Sequence, residues 1–242
     1  MQHLVGVFQP EGRRQYDAGA HERFLQGVDR ERYRSPTMTT LLLVRHGQTD
    51  WNLEHRWQGD PPLNDSGRDQ ARSLAQLISR EPLDGLYSSD LGRARETAEI
   101  IAEQLGMHVQ LDLRLREIDV GEWAGLTSPE LEQRYPNGFQ RHLDGGTGWE
   151  QGESYEAMVA RVTAALRVIA AKHPDGHVLV VAHAGVLCSA WLACGGQITE
   201  WQGTHNGDVH KIVVDNDQIL WLGLVQRAEE RDQSDPSLFW RV

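Results

Sequence analysis

The chain has 242 residues, 39% of them hydrophobic, which is enough apolar surface for a sizeable core in one large or two small domains. Its 35 acidic and 24 basic residues give a net charge of −11, so nucleic acid and anionic membranes are excluded as expected partners. No apolar stretch approaches the length of a membrane-spanning helix, the N-terminus lacks a secretion-signal pattern, and the two cysteines, Cys188 and Cys194, indicate reduced thiols in a cytoplasmic protein.

The two ends of the chain differ in composition from its middle. Residues 1–37 carry six arginines against five acids, and their apolar residues follow no sustained period. We expect them to be an extension, poorly ordered or created by a start assigned too early; the alternative is an arm that caps a site. A folded domain is expected over residues 38–225. Residues 226–242 are charged and rich in turn formers, which is typical of a loose tail.

Strands and helices alternate between these ends. Short apolar runs bounded by turn residues predict strands, and apolar residues spaced by three or four predict helices. The expected cap of the first helix is the segment 64–67 (Asn-Asp-Ser-Gly), and that of the second is Ser89 or Asp90. This alternation indicates an α/β fold in which helices cover a mostly parallel sheet. The prediction in chain order is strand 40–45, helix 66–80, strand 84–87, helix 91–105, strand 109–111, helices 128–134 and 153–171, strand 178–182, helix 185–194, and strands 209–215 and 218–224 joined by a turn at 216–217.

The first predicted strand ends in Arg45, His46 and Gly47, directly after the apolar run 41–44. Open α/β sheets bind their ligands at the carboxyl ends of such strands. Arginine offers a planar fork of donors to phosphate oxygens, an imidazole can act as a nucleophile, and glycine lets the backbone come close to a ligand. The tripeptide therefore indicates phosphate chemistry, with His46 as the candidate nucleophile.

Four further segments follow in order: 48–52 (Gln-Thr-Asp-Trp-Asn), 89–98 (Ser-Asp-Leu-Gly-Arg-Ala-Arg-Glu-Thr-Ala), 117–125 (Glu-Ile-Asp-Val-Gly-Glu-Trp-Ala-Gly) and 178–185 (Val-Leu-Val-Val-Ala-His-Ala-Gly). With these motifs the chain resembles the histidine phosphatase superfamily, which also contains the cofactor-dependent phosphoglycerate mutases. The resemblance covers roughly residues 38–224. It implies a three-layer α/β/α sandwich and a metal-independent phosphomonoesterase that needs no cofactor and forms a phosphohistidine intermediate on His46.

The resemblance also implies a phosphate clamp made of Arg45 and Arg93. Phosphoryl transfer depends on neutralising the charge of the phosphoryl oxygens. Arg95 lies in the same helical turn as Arg93, but the family pattern selects Arg93, and we expect Arg95 on the surface. His183 ends a second apolar strand as His46 ends the first, so that adjacent parallel strands would bring both imidazoles to one phosphate, where His183 would donate hydrogen bonds.

Glu117 is the acid that the resemblance selects to protonate the leaving alkoxide and later to deprotonate water. Asp119 and Glu122 are the alternatives, and we expect Glu122 to be structural or solvated. Asn52 is the expected neutral donor to phosphate, with a cap or turn role as the alternative. The remaining expected pocket residues are Gln58 and Gly59.

A metal cluster of His173, His177 and His183 is a competing interpretation. The strand between the last two spans roughly 20 Å at ~3.3 Å per residue, which places them at opposite ends. No zinc-type spacing of Cys and His occurs elsewhere. We therefore expect no metal site.

Two activities within the family differ in the segment that follows Glu117. Mutase-like sequences carry a longer segment with an Arg-His-Tyr-type run, whereas here residues 121–127 lead into a short predicted helix. Hydrolysis is therefore favoured over mutase-type phosphoryl transfer. A catalytically silent ligand-binding module of the same fold is the third interpretation, disfavoured because all the motif residues are present.

The segment 128–153, which contains Arg134, Tyr135, Arg141 and His142, is expected to cap the site and to set specificity. The expected partner is a small-molecule phosphomonoester, and sugar phosphates, phosphoglycerate derivatives and the nucleotide-like precursor of cobalamin all stay open. The sequence is compatible with a homodimer. The tryptophans that form either pocket walls or core are Trp51, Trp57, Trp123 and Trp149.

Overall fold

The central sheet has six strands in the computed structural model, which describes residues 38–57, 59–215 and 218–226. The predicted extension, Gln58, the predicted turn at 216–217 and residues 227–242 of the predicted tail lie outside the described residues. The strands are β1 (Met38–Arg45), β2 (Gly85–Ser88), β3 (Val109–Leu111), β4 (His177–Ala182), β5 (Val209–Asp215) and β6 (Gln218–Gln226).

The strand order is β3-β2-β4-β1-β5-β6. The first four strands in this order are parallel to one another. β5 pairs antiparallel with β1, and β6 pairs antiparallel with β5. The mostly parallel sheet predicted from the sequence is thereby confirmed. β1 and β4 lie at the centre because their continuous apolar runs suit strands that are covered on both faces.

The described residues contain seven α-helices. Five of them were predicted, with bounds within two residues of the observed ones, and the other two were not predicted. The additional helices are short, with four and eight residues, and the longer one begins at Pro136, with one residue between it and the end of another helix. The helices are α1 (Asp50–Leu53), α2 (Asp65–Ile78), α3 (Gly92–Leu105), α4 (Ser128–Arg134), α5 (Pro136–Leu143), α6 (Tyr155–Lys172) and α7 (Ala184–Ala193).

The core consists of two clusters on opposite faces of the sheet. Leu41 and Leu43 pack into the cluster that contains α6 and α7, whereas Leu42 and Val44 pack into the cluster that contains α2 and α3. This alternation follows from the two-residue period of a strand. The fold is therefore the three-layer α/β/α sandwich that the resemblance implied. Within the described part of the chain, no helix is both long enough and apolar enough to cross a membrane.

The helix caps agree with the sequence prediction at one site and differ at another. Asn64 caps α2, and its side chain accepts a hydrogen bond from the Gly67 N–H at 2.9 Å. The prediction that Ser89 or Asp90 caps α3 was wrong, because the N-cap is Leu91, whose own side chain makes no capping hydrogen bond. The Ser89 hydroxyl instead lies 2.9 Å from His183 Nε2, since β2 and β4 are neighbours that end at the same edge.

Candidate active site

His46 and His183 lie side by side at the carboxyl edge of the sheet. β1 and β4 are parallel and in register, with Arg45 opposite Ala182, so the residue that follows each strand occupies an equivalent place. The two imidazole centroids are 5.2 Å apart. Both side chains are buried, and His183 Nδ1 has no hydrogen-bond partner among the described residues.

The hydrogen bonds of His46 fix its tautomer. Its Nδ1 lies 2.7 Å from the Gly47 carbonyl oxygen, which can only accept, so Nδ1 carries the proton. Nε2 then holds the lone pair, and Arg93 Nε donates to it at 3.0 Å. Burial, together with Arg93 and Arg45, holds the pKa of His46 well below its usual range. The imidazole is therefore neutral at physiological pH, with a nucleophilic nitrogen beside two guanidinium groups.

Arg93 reaches the site from the first turn of α3. Its Nη1 donates to the Gly59 carbonyl oxygen at 2.5 Å and lies 3.5 Å from the Asp60 carboxylate. Burial lowers its pKa to about 10, so it keeps its charge at neutral pH. Arg45, at the end of β1, donates from Nη1 to the Thr204 carbonyl oxygen at 2.6 Å. Arg95 of the same helix is exposed.

Glu117 enters the site from the loop that precedes α4. Its two carboxylate oxygens accept hydrogen bonds from the backbone N–H groups of Ile118 at 3.0 Å and Gly185 at 3.2 Å. Asp119 instead accepts from the Gly121 N–H, and Glu122 from the N–H of Glu150. Neither of these two alternative acids lines the cavity beside His46.

Most of the predicted catalytic and substrate-binding residues line a cavity of about 60 Å³. His183 is fully buried behind His46 and does not line this cavity, and Gln58 lies outside the described residues. The predicted residues that line it are Arg45, His46, Asn52, Gly59, Arg93 and Glu117. Lining residues without a predicted phosphate or proton-transfer role are Thr49, Trp51, Arg56, Trp57, Pro61, Ile118 and Ala184.

Asn52 combines the two alternatives that the sequence left open. In the capping box of α1 its Oδ1 accepts from the Thr49 N–H at 3.0 Å, and it accepts as well from Asn206 Nδ2 at 3.2 Å. The amide oxygen is thus committed to the protein. The NH₂ group is the part of this cavity-lining side chain that remains to donate to a ligand.

Asn206 is a site residue that the sequence analysis missed. Its buried Nδ2 donates to the His46 carbonyl oxygen at 2.8 Å and lies near the Gly47 carbonyl and Asn52. It stands in the loop before β5, and because β5 runs antiparallel to β1, the start of β5 meets the end of β1. The only local signal is an Asn-Gly-Asp triplet, which in sequence is typical of an ordinary turn.

No described residue of segment 128–153 lines the cavity, and its role as a cap stays a prediction. The segment contacts lining residues from outside, where Glu130 Oε2 of α4 lies 3.4 Å from Arg56 Nη1. His142 of α5 contacts Trp57, a lining residue, edge-on with 4.8 Å between ring centroids. Of the four tryptophans, Trp51 and Trp57 line the cavity, whereas Trp123 and Trp149 lie in the core.

The alternative histidine cluster does not assemble. His177 begins β4 and His183 follows its other end. Throughout residues 38–57, 59–215 and 218–226, no group of three or more His, Cys, Asp or Glu side chains is arranged to hold a metal ion.

Comparison with known proteins places this arrangement among phosphate-processing enzymes. The sequence model of the histidine phosphatase superfamily (branch 1) matches residues 41–226. Phosphoserine phosphatase 1 of Hydrogenobacter thermophilus is 39% identical over 150 residues, which are 60% of this chain and 71% of the relative. Phosphoglycerate mutase-like protein 4 of Arabidopsis thaliana is 39% identical over 158 residues, 62% of this chain and 69% of the relative. A mycobacterial glucosyl-3-phosphoglycerate phosphatase has a similar structure, with a TM-score of 0.67, 30% identity, and coverage of 78% of this chain and 99% of the other.

Proposed function

We propose that this chain, which belongs to the histidine phosphatase superfamily, is a phosphatase that hydrolyses small-molecule phosphomonoesters through a phosphohistidine on His46. The observation that carries the proposal is the state of His46. Its Nε2 lone pair lies in the cavity wall beside Arg93, with Glu117 lining the same cavity. A nucleophile, a cationic clamp and a carboxyl group are the components that a two-step phosphoryl transfer requires.

In the first step, His46 Nε2 attacks the phosphorus atom while the bond to the leaving oxygen breaks. Arg93 gives up its hydrogen bond to Nε2 and, with Arg45, donates to the phosphoryl oxygens, where negative charge must be neutralised. The Asn52 NH₂ group adds a neutral donor from the cavity lining. The same role is proposed for His183, which contacts His46 without lining the cavity and has an Nδ1 that no described residue satisfies. The protonated carboxyl of Glu117 gives its proton to the leaving oxygen, so that an alcohol leaves and not an alkoxide.

In the second step, the Glu117 carboxylate takes a proton from water as the water oxygen attacks phosphorus. The N–P bond breaks, inorganic phosphate leaves, and His46 returns to its neutral form. The two backbone N–H groups that hold the Glu117 carboxylate keep it aimed at the cavity for both steps. Mutase-type transfer would instead return the phosphoryl group to an organic hydroxyl.

The test is His46→Ala assayed with p-nitrophenyl phosphate. Because this route has no substitute nucleophile, turnover should fall by about 10⁴-fold or more. During turnover of a ³²P-labelled monoester, the wild-type protein should carry acid-labile, base-stable label that His46→Ala lacks, and the label should end as inorganic phosphate. His108→Ala is the matched control, since His108 is exposed.

Wild-type turnover by His46→Ala would exclude His46 as the nucleophile. Label that ends on a second organic hydroxyl would identify mutase-type transfer in place of hydrolysis.

A further inference from the structure

The charges around the cavity mouth bear on which phosphomonoesters can enter. Beyond Arg45 and Arg93, Arg56 supplies the remaining cationic side chain among the described residues that line the cavity. Its Nε donates to Glu54 Oε2 at 2.6 Å, and its Nη1 lies 3.4 Å from Glu130 Oε2. Arg56 Nη1 also donates to the Gly125 carbonyl oxygen at 2.8 Å. This guanidinium is therefore neutralised by two protein carboxylates.

These ion pairs are held in place by local structure. Glu130 belongs to the capping box of α4, where its Oε2 accepts from the Thr127 N–H at 2.8 Å and hydroxyl at 2.9 Å. Asp60, next to two lining residues, adds a third carboxylate near the mouth and accepts from the Gly92 N–H at 2.9 Å. Asp60 is itself paired with Arg93 at 3.5 Å, so the excess of negative charge at the mouth comes from Glu54 and Glu130, two carboxylates against the one guanidinium of Arg56.

Part of the cavity lining is apolar. This part contains Trp51, Trp57, Pro61 and Ile118. The Trp51 ring lies so close over Gly59 that a Cβ at that position would fall 2.1 Å from it, so the glycine makes room for the ring. A leaving group entering this site meets a flat aromatic surface and an acidic mouth.

We propose that the site selects phosphomonoesters whose leaving group carries no second negative charge and lays an uncharged face against Trp51. The inference rests on the proposed phosphatase function. A carboxylate on the leaving group, as in a phosphoglycerate, would lie near Glu54 and Glu130 while Arg56 is already paired. Like charges a few ångströms apart near a protein surface disfavour binding by about tenfold or more.

The experiment compares kcat/KM within two matched pairs of substrates. Glycerol 3-phosphate and 3-phosphoglycerate differ by an alcohol against a carboxylate, and benzyl and 4-carboxybenzyl phosphate differ by one remote carboxylate. In each pair the uncharged member should be preferred by about tenfold. p-Nitrophenyl phosphate reports the phosphatase activity itself.

The double variant Glu54→Gln/Glu130→Gln then tests the cause. Glutamine still accepts the capping-box hydrogen bonds, but Arg56 loses both of its counter-charges and becomes available to a substrate carboxylate. The preference should fall severalfold or invert, mainly through KM for the carboxylate-bearing member. Glu99→Gln, which removes the carboxylate 3.7 Å from Arg95 and outside the cavity lining, should leave the preference unchanged.

Each outcome separates this inference from the proposed function. Equal or better turnover of the carboxylate-bearing substrates by the wild-type protein would overturn the selectivity and leave the phosphatase function standing. An unchanged preference in the double variant would overturn the charge explanation, and with it the proposal. Failure to hydrolyse any of the five esters would overturn the phosphatase function and this inference together.

Discussion

At the scale of single residues, Gly185 shows how one missing side chain admits the candidate acid. A Cβ on Gly185 would lie 2.2 Å from Glu117 Oε1 and 2.7 Å from Met158 Cε. The Gly185 N–H meanwhile donates to the other carboxylate oxygen at 3.2 Å. The same glycine therefore makes room for Glu117 and donates a hydrogen bond to it. A glycine is required here by the space that Glu117 needs, and not by the backbone conformation of the helix.

We predict that Gly185→Ala impairs catalysis without unfolding the protein. Alanine suits a helix better than glycine does, but the added methyl displaces the Glu117 carboxyl. Turnover of an alkyl phosphate should fall by a factor within the ~10²–10⁴ range typical of losing a general acid, with less effect on p-nitrophenyl phosphate, whose leaving group needs no proton. Steady-state kinetics and the thermal midpoint measure both parts.

Glu117→Asp provides the control for this prediction. The shorter side chain withdraws from the methyl, so Gly185→Ala/Glu117→Asp should be no slower than Glu117→Asp alone, whereas independent effects would multiply. Full activity of Gly185→Ala would show that Glu117 does not depend on the space at Gly185.

At the scale of elements, α6 holds the loop that carries Glu117. Arg161 of α6 donates from Nη1 to the carbonyl oxygens of Arg114 at 2.8 Å and Arg116 at 2.7 Å, and from Nη2 to that of Glu117 at 3.1 Å. Glu153 holds the guanidinium from the other side through two hydrogen bonds. One planar fork thereby ties three carbonyl oxygens of the loop 114–117 to a helix, which a lysine cannot do.

Arg161→Lys is therefore expected to slow catalysis through a displaced Glu117. The loss should be about tenfold or more on an alkyl phosphate and smaller on p-nitrophenyl phosphate, because only the first substrate needs the proton. A general loss of structure would slow both substrates alike. Arg167→Lys, at an exposed position of the same helix, is the control and should behave as wild type.

At the scale of the whole molecule, three buried histidines make stability depend on pH. Burial lowers the pKa of His46, His142 and His183, and nearby arginines lower it further for His46 and His183. The folded protein thus keeps these imidazoles neutral, while the unfolded chain takes up protons below about pH 6.5. The free energy of unfolding must then fall as the pH drops below that value.

We predict that the free energy of unfolding is nearly flat above pH 6.5 and falls between pH 6.5 and 5. Each buried histidine contributes a slope of up to ~1.4 kcal/mol per pH unit. Denaturant titrations at several pH values measure it, and His46→Gln should reduce the slope by the share of one histidine. Identical slopes for both proteins would contradict a neutral, buried His46.

The sequence by itself determined the sheet, its central strands and the family. The runs that became β1 and β4 are apolar, a pattern typical of a doubly covered strand, and the histidine after each run had to lie at the same edge once the strands were parallel. The bounds of the five predicted helices lie within two residues of the observed ones. Strands and helices depend on residues that are close together in the sequence, so a local sequence pattern is enough to predict them.

Tertiary structure alone decided how the site is assembled. Asn206 reaches His46 across 160 positions, and Gly185 reaches Glu117 across 68. Such contacts arise from strand pairing and helix packing, and no periodicity or motif encodes them. The contact of His142 in segment 128–153 with Trp57 has the same origin. A side chain's direction is set by the backbone that it packs against, and that backbone comes from distant parts of the chain.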